Sequence, residues 1–162
     1  MTSPAEKHSI ASLLGRSAPR APDLETLEAW GRAVGASLPR PCIITLEGDL
    51  GAGKTTLARA LCAGLGVRDL QSVTSPTFSL VQQYDAPGGP IVHVDLYRVR
   101  SGAELEQLGW DELVATSSVL IIEWPDRAAG TLPSGVIALT LLHDEGNPRR
   151  RVLKVTGGPV ST

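Results

Sequence analysis

Cysteine and long hydrophobic runs are both scarce in this sequence, and each shortage excludes a class of protein. The two cysteines, Cys42 and Cys62, match no zinc, haem or CxxC spacing and could form at most one disulfide. We expect two buried thiols in a reducing compartment, which favours a cytoplasmic location. The longest apolar runs, such as Val119 to Ile122, fall far short of the roughly 18 to 20 residues that cross a bilayer. The sequence therefore predicts no membrane-spanning segment.

A large net charge of either sign is also missing. The chain contains 15 Lys and Arg residues and 17 Asp and Glu residues, which gives a formal net charge of -2. Because binding to nucleic acid through its phosphates requires a positive field, this balance argues against a protein that holds RNA alone. The basic cluster Arg149 to Arg151 could contact RNA or an acidic partner, although a solvated turn is the ordinary interpretation.

The length of 162 residues and the 42% hydrophobic content predict one domain with one core. Residues Met1 to Ala21 are rich in Ser, Ala and Pro, which bury too little apolar surface to offset chain entropy. We therefore expect a flexible leader over residues 1–21, a single domain over 22–157 and a flexible tail over 158–162. An organellar transit peptide is the alternative interpretation of the leader.

Hydrophobic periodicity predicts alternating helices and strands. A helix is expected from Asp23, which can cap it, and short apolar runs predict buried strands at Cys42–Glu47, Ile91–Asp95 and Val119–Glu123. A single helix is predicted around Glu104 to Ala115. This alternation is typical of a parallel sheet.

The end of the chain has a different pattern. Two β-rich runs, Val136 to Leu142 and Arg151 to Val155, flank a turn-like segment that begins at Asp144. We therefore expect an antiparallel C-terminal edge on the sheet.

The strongest motif lies between the first predicted strand and a helix that follows Lys54. The segment GDLGAGKTT fits G-x-x-x-x-G-K-[ST], the loop whose amides wrap a phosphate chain at a helix N-terminus. Lys54 can reach the β and γ phosphates, and the Thr55 hydroxyl suits magnesium, so ATP with Mg²⁺ is the expected ligand. The predicted binding residues are Gly48, Asp49, Leu50, Gly51, Ala52, Gly53, Lys54, Thr55 and Thr56. The fold class predicted is α/β, a P-loop NTPase-like three-layer fold with a mainly parallel central sheet.

Two acidic residues end predicted strands at the sheet edge where the phosphate loop opens. Asp95 closes one strand and Glu123 closes another. Triphosphate hydrolysis requires a carboxylate for the metal and often a group that orients water, so both are candidates for catalysis. His93 shares a strand face with Asp95 and could be a base, although packing is the commoner role.

Four ordered motifs resemble the bacterial TsaE family, formerly YjeE. They are GDLGAGKTTLARAL at Gly48 to Leu61, SPTFSLVQQY at Ser75 to Tyr84, HVDLYR at His93 to Arg98 and EWPDR at Glu123 to Arg127. The resemblance extends from about Asp23 to Val155. The leader and Trp110, which stands where smaller aliphatic residues are usual, depart from the family pattern.

The resemblance implies an ATPase of tRNA threonylcarbamoyladenosine synthesis. The loop and Lys54 would bind the phosphates, Thr55 and Glu123 would hold magnesium, and Asp95 would support the metal or water. Thr77 would lie in a mobile catalytic loop. The implied partners are TsaD and TsaB, with tRNA contacted indirectly through that complex, and hydrolysis by the protein alone would be slow.

Two other functions share the phosphate loop. A small-molecule kinase would need a second substrate pocket and usually an arginine-bearing lid, for which the sequence shows no long insertion. A nucleotide-binding adaptor that does not hydrolyse ATP also stays open. A GTPase is disfavoured because the chain contains no N/TKxD motif.

Overall fold

A six-stranded sheet lies at the centre of the structure, a computed structural model that describes residues 14–76 and 78–157. Its strands, numbered along the chain, are β1 (Cys42–Glu47), β2 (Val81–Tyr84), β3 (Ile91–Asp95), β4 (Val119–Glu123), β5 (Ile137–His143) and β6 (Arg151–Gly157). Their spatial order is β2-β3-β4-β1-β5-β6. Strands β1, β3, β4 and β5 are parallel, whereas β2 and β6 are antiparallel at the two edges. The predicted mainly parallel sheet with an antiparallel C-terminal edge is confirmed.

Helices cover both faces of the sheet. They are α1 (Leu24–Ser37), α2 (Lys54–Leu65), α3 (Gly102–Gln107) and α4 (Trp110–Thr116). Along β4, Val119 and Ile121 belong to the core beneath α1 and α2, whereas Leu120 and Ile122 belong to the core beneath α3 and α4. The period-2 alternation of a strand thus produces the predicted three layers. No helix in the described ranges is long and apolar enough to cross a membrane.

Helices α1 and α2 approach each other closely because small residues lie between them. A Cβ atom at Gly35 would meet the main-chain oxygen of Leu61, and one at Gly64 would meet that of Arg32. The N-terminus of α1 is capped as predicted, since the Asp23 carboxylate accepts from the Thr26 N–H at 2.8 Å. The close packing of α1 on α2 fixes α2, and with it the loop that precedes α2, on the sheet.

Two elements differ from the sequence predictions. The single helix predicted around Glu104 to Ala115 is two helices, because Gly109 between them has a φ of 71°. Trp110 begins the second helix and is buried, and its indole donates to the Thr131 hydroxyl at 2.8 Å. Strand β2 was not expected, because its sequence VQQY has little apolar character and only Tyr84 is buried.

The described end of the predicted leader packs on the domain. Leu14 is buried in the core, and the Ser17 hydroxyl accepts from the Trp30 indole at 3.3 Å. Composition missed this contact because the segment is mostly polar and small, and a few apolar side chains supply the packing. The expectation of flexibility at residues 1–13 and 158–162 lies outside the described residues.

Candidate active site

Parallel pairing brings the two acidic strand ends beside the phosphate loop. Strand β4 lies between β3 and β1, with Glu123 in register with Asp95 on one side and Leu46 on the other. The loop leaves β1 one residue beyond Leu46, at the same carboxyl edge of the sheet. This edge is where open α/β sheets bind ligands.

The loop between β1 and α2 turns on glycines with positive φ. Gly48 has a φ of 147° and Gly53 a φ of 108°, conformations that side chains disfavour. A Cβ at Gly48 would also meet the main-chain oxygen of Leu141 on β5. Inside the loop, the Ala52 N–H donates to the Asp49 carbonyl at 3.1 Å. Helix α2 starts directly afterwards, so its positive end faces the space that the loop encloses.

The Lys54 ammonium is held by the loop's own carbonyl groups. Its Nζ donates to the Gly48 oxygen at 2.5 Å and to the Asp49 oxygen at 2.9 Å. Burial lowers the pKa of the Lys54 amine, and the carboxylates of Glu123, Asp95 and Asp49 oppose that effect. The ammonium therefore lies among acidic groups and carbonyl dipoles, where a phosphate would offer it stronger partners.

Glu123 is a buried carboxylate oriented by a histidine. Its Oε2 lies 2.7 Å from His93 Nε2, and both side chains are almost completely buried. His93 Nδ1 in turn lies 3.2 Å from the Tyr84 hydroxyl. His93 is thus a packed residue, as the commoner interpretation had it, and it also fixes a site carboxylate.

Asp95 is held by two donors. Its Oδ2 accepts from the Ser75 hydroxyl at 2.7 Å, and its Oδ1 accepts from the Tyr97 N–H at 2.9 Å. The first bond ties the Ser75 segment, which precedes Thr77, to the sheet. Thr77 itself lies outside the described residues.

Trp124 forms an aromatic wall of the site. Its backbone is left-handed, with a φ of 59°, which is uncommon for a residue with a side chain. Lys54 Nζ lies 4.4 Å from the centroid of the indole ring, within the range of a cation–π contact. The ring of Tyr97 packs against the indole at 4.9 Å between centroids. The strained backbone therefore turns this indole toward the lysine.

A cavity of about 440 Å³ lies between the loop and the carboxylates. Asp95 and Glu123 both line it, and the structure thus brings them together with most of the predicted loop residues. The remaining loop residues, Gly48, Asp49 and Ala52, form the framework behind it. The loop residues lining the cavity are Leu50, Gly51, Gly53, Lys54, Thr55 and Thr56.

The oxygen groups of this cavity suit a magnesium nucleotide. Mg²⁺ prefers hard oxygen ligands and keeps several waters, and Thr55 and Glu123 both line the cavity. Since His93 holds Oε2 of Glu123, Oε1 is the oxygen left for a cation. Within residues 14–76 and 78–157, no group of three His, Cys, Asp or Glu side chains could hold a metal. A cation here would share its ligands with phosphate and water.

Sequence reasoning missed two residues of the site's framework. Ser75 was named only as the first residue of the SPTFSLVQQY motif, and Arg151 was expected in a solvated turn. Arg151 is in fact buried and donates to loop carbonyls, whereas Arg149 and Arg150 are exposed as expected. The start of β6 lies beneath the phosphate loop, a proximity that only the folded sheet creates.

The glycine loop between strand and helix, on a three-layer, mainly parallel sheet, defines a P-loop fold of the nucleotide-binding type. The chain belongs to the TsaE family, because residues 21–152 match the family model described as threonylcarbamoyl adenosine biosynthesis protein TsaE.

Individual relatives have the same description. The tRNA threonylcarbamoyladenosine biosynthesis protein TsaE of Haemophilus influenzae is 41% identical over 99 residues, which are 61% of each chain. The protein of that name from Nostoc sp. is 32% identical over 80% of this chain and 81% of its own. A crystal structure of Bacillus subtilis YdiB aligns with a TM-score of 0.57 and 25% identity, covering 98% of this chain and 83% of that one. The first two proteins share the family with this chain, and the third shares its fold.

Proposed function

We propose that this protein is a Mg²⁺-dependent ATPase in the cytoplasm that supports TsaD and TsaB in threonylcarbamoyl modification of tRNA. The modified base would be the adenosine next to the anticodon. The observation that carries the ATPase proposal is the single cavity shared by the phosphate loop, Lys54, Asp95 and Glu123. Membership of the TsaE family supports the pathway.

Phosphate binding would draw on the loop amides, the positive end of α2 and Lys54. In the structure the Lys54 ammonium rests on two loop carbonyls, and a triphosphate would attract it away from them. Thr55 and Glu123 would hold Mg²⁺, which neutralises charge on the phosphates. The contact with His93 would keep the Glu123 carboxylate in one orientation for this role.

Asp95 would orient the attacking water or a water on the metal. Its two oxygens accept hydrogen bonds from the Ser75 hydroxyl and the Tyr97 N–H, so bonds within the chain orient it. Because Ser75 precedes Thr77 by two residues, movement of that loop would be transmitted to Asp95. A change of bound nucleotide would in this way alter the conformation of a surface loop that partner proteins can contact.

The charge of the chain favours partner proteins over direct tRNA binding. The net charge is -2, and the buried Arg151 removes one of three arginines from the basic cluster. Electrostatic attraction to tRNA would therefore be weak for the protein alone. The tRNA would be held by the complex.

The decisive experiment is reconstitution of tRNA modification from purified TsaD, TsaB, tRNA and this protein. We expect Lys54→Ala to abolish modification, whereas Lys154→Ala, which removes an exposed lysine, leaves it intact. Unchanged modification by the Lys54 variant would defeat the proposal.

A second measurement separates hydrolysis from mere binding. Single-turnover release of phosphate is expected from the wild type and not from Glu123→Gln, while both bind ATP. An adaptor would release no phosphate in either case. A kinase would instead show ATP consumption that depends on a small molecule, with a phosphorylated product.

A further inference from the structure

Arg151 places a buried guanidinium beneath the phosphate loop. It begins β6, and its exposed fraction is 8%. Its Nε donates to the Ala52 oxygen at 2.8 Å and its Nη2 donates to the Gly51 oxygen at 3.3 Å. Its Nη1 donates to the oxygens of Pro148 at 3.1 Å and Arg150 at 3.0 Å. One side chain thus joins the β5–β6 hairpin to the loop.

No carboxylate in the described part of the chain lies within 4.0 Å of this guanidinium. Its partners are main-chain carbonyls, which carry only partial charge. A guanidinium stays protonated even when it is buried, and burial weakens the screening of its field by water. The loop therefore packs on a positive charge that forms no ion pair with a carboxylate in the described part of the chain.

The Arg151 bonds also orient the peptides of the loop. In a trans peptide the C=O and N–H groups point in opposite directions. Because the Ala52 carbonyl points at Arg151, the N–H of Gly53 in the same peptide points away from it. Gly53 lines the cavity between the loop and the carboxylates. The arginine thus fixes the direction of one N–H group in a loop residue that lines the cavity.

We propose that Arg151 is a positioning residue of the nucleotide site, which rests on the ATP binding proposed above. It keeps the Gly51 and Ala52 carbonyls pointing at its guanidinium, and it adds a buried positive charge that favours the binding of a polyphosphate. Arg151 would not contact the nucleotide itself. It would change the affinity for the nucleotide indirectly, by holding the loop in position.

The chain provides two matched controls. Arg149 lies on the same hairpin, is exposed and carries the same charge, so Arg149→Met tests the effect of charge alone. Leu153 lies two residues further along β6 and is buried in the core, so Leu153→Ala weakens the strand without touching the loop. Neither residue has a role in the proposed site.

The test is the Kd of Mg-ATP by calorimetric titration, together with the melting temperature of every variant. We expect Arg151→Met to raise the Kd between about 10-fold and 100-fold, since hydrogen bonds from a charged group are lost. Arg149→Met and Leu153→Ala should stay within about twofold of the wild type, with Leu153→Ala melting at lower temperature. Arg151→Lys keeps the positive charge but lacks the planar guanidinium with its several N–H donors, so we expect an intermediate Kd.

Three results would overturn the assignment of Arg151. They are an unchanged Kd in Arg151→Met, an equal loss in Arg149→Met, and an equal loss in Leu153→Ala. If Arg151→Met does not fold, Arg151→Lys decides, because wild-type affinity in that variant contradicts the proposal. Failure of the wild type to bind ATP would instead overturn the proposed function, and the role of Arg151 with it.

Discussion

Nε2 of His93 and Oε2 of Glu123 lie 2.7 Å apart in the interior of the protein, on neighbouring strands. An ionised carboxylate only accepts hydrogen bonds, so the imidazole Nε2 would be the donor to an ionised Glu123. On the other side of the ring, the Tyr84 hydroxyl lies 3.2 Å from Nδ1 and donates its hydrogen to the Gln82 side-chain oxygen at 2.7 Å. Burial raises the pKa of Tyr84 to about 12, which keeps its hydroxyl neutral at physiological pH. His93 thus contacts Glu123 of β4 through one ring nitrogen and Tyr84 of the edge strand β2 through the other, and only the first contact orients the carboxylate.

Removal of the imidazole should weaken the metal site. We expect His93→Phe to raise the Mg²⁺ concentration for half-maximal ATP hydrolysis by about 10-fold or more, because Glu123 loses the donor that orients it. His93→Gln, which keeps a donor, should lose less. Tyr84→Phe is the control, since it spares the bond to Glu123. Unaltered Mg²⁺ dependence in His93→Phe would show that Glu123 does not need this partner.

Trp124 should report nucleotide binding. Lys54 Nζ lies 4.4 Å from its ring centroid, and a triphosphate would draw the ammonium away. We therefore expect Mg-ATP to change the tryptophan fluorescence of the wild type. The change should vanish in Trp124→Phe and persist in Trp110→Phe, whose indole is buried against Thr131. A signal that survives in Trp124→Phe would contradict this assignment.

Close packing of α1 on α2 should make Gly35 intolerant of a side chain. A Cβ there would meet the Leu61 main-chain oxygen, so we expect Gly35→Ala to lower the free energy of unfolding by about 1 to 3 kcal/mol. Gly102→Ala is the matched control, because a Cβ at that helical position meets nothing within 4 Å. It should be neutral or slightly stabilising. Chemical denaturation of the two variants checks both expectations.

The two cysteines should be unreactive in the folded protein. Both are buried, and burial raises the pKa of the Cys62 thiol to about 12. Since only the thiolate reacts, Cys62 should stay protonated at pH 8 to 9, and a disulfide exchange reagent should label neither residue at an appreciable rate. Denaturation should expose two thiols per chain. Rapid labelling of native protein would show that this part of the core opens.

The sequence predicted the centre of the fold better than its edges. The three strands at Cys42–Glu47, Ile91–Asp95 and Val119–Glu123 have the predicted bounds, because buried parallel strands are continuous apolar runs. Strand β2 was missed because a solvent-facing edge strand carries little hydrophobic signal. The helix break at Gly109 was missed because apolar residues continue on both sides of it.

The candidate site likewise contains features that the sequence predicted and features that it did not. The phosphate loop and the two strand-end acids follow from local sequence and from the rule that parallel strands end at one edge. The contacts of Arg151 with Gly51 and Ala52 join residues about a hundred positions apart in sequence. No local sequence pattern predicts such contacts. Likewise, the link between His93 and Glu123 depends on the pairing of β3 with β4, which periodicity alone does not specify.

We expect one triphosphate to occupy the space between the loop, Lys54 and the two carboxylates. The decisive measurement is a crystal structure with a non-hydrolysable ATP analogue and Mg²⁺. It should show phosphates wrapped by the loop, Lys54 Nζ moved from the Gly48 carbonyl to a phosphate oxygen, and the metal between the Thr55 hydroxyl and Glu123. An analogue bound instead in the cavity of about 560 Å³ between Gly66 and Pro87, with Glu123 distant from any metal, would contradict it.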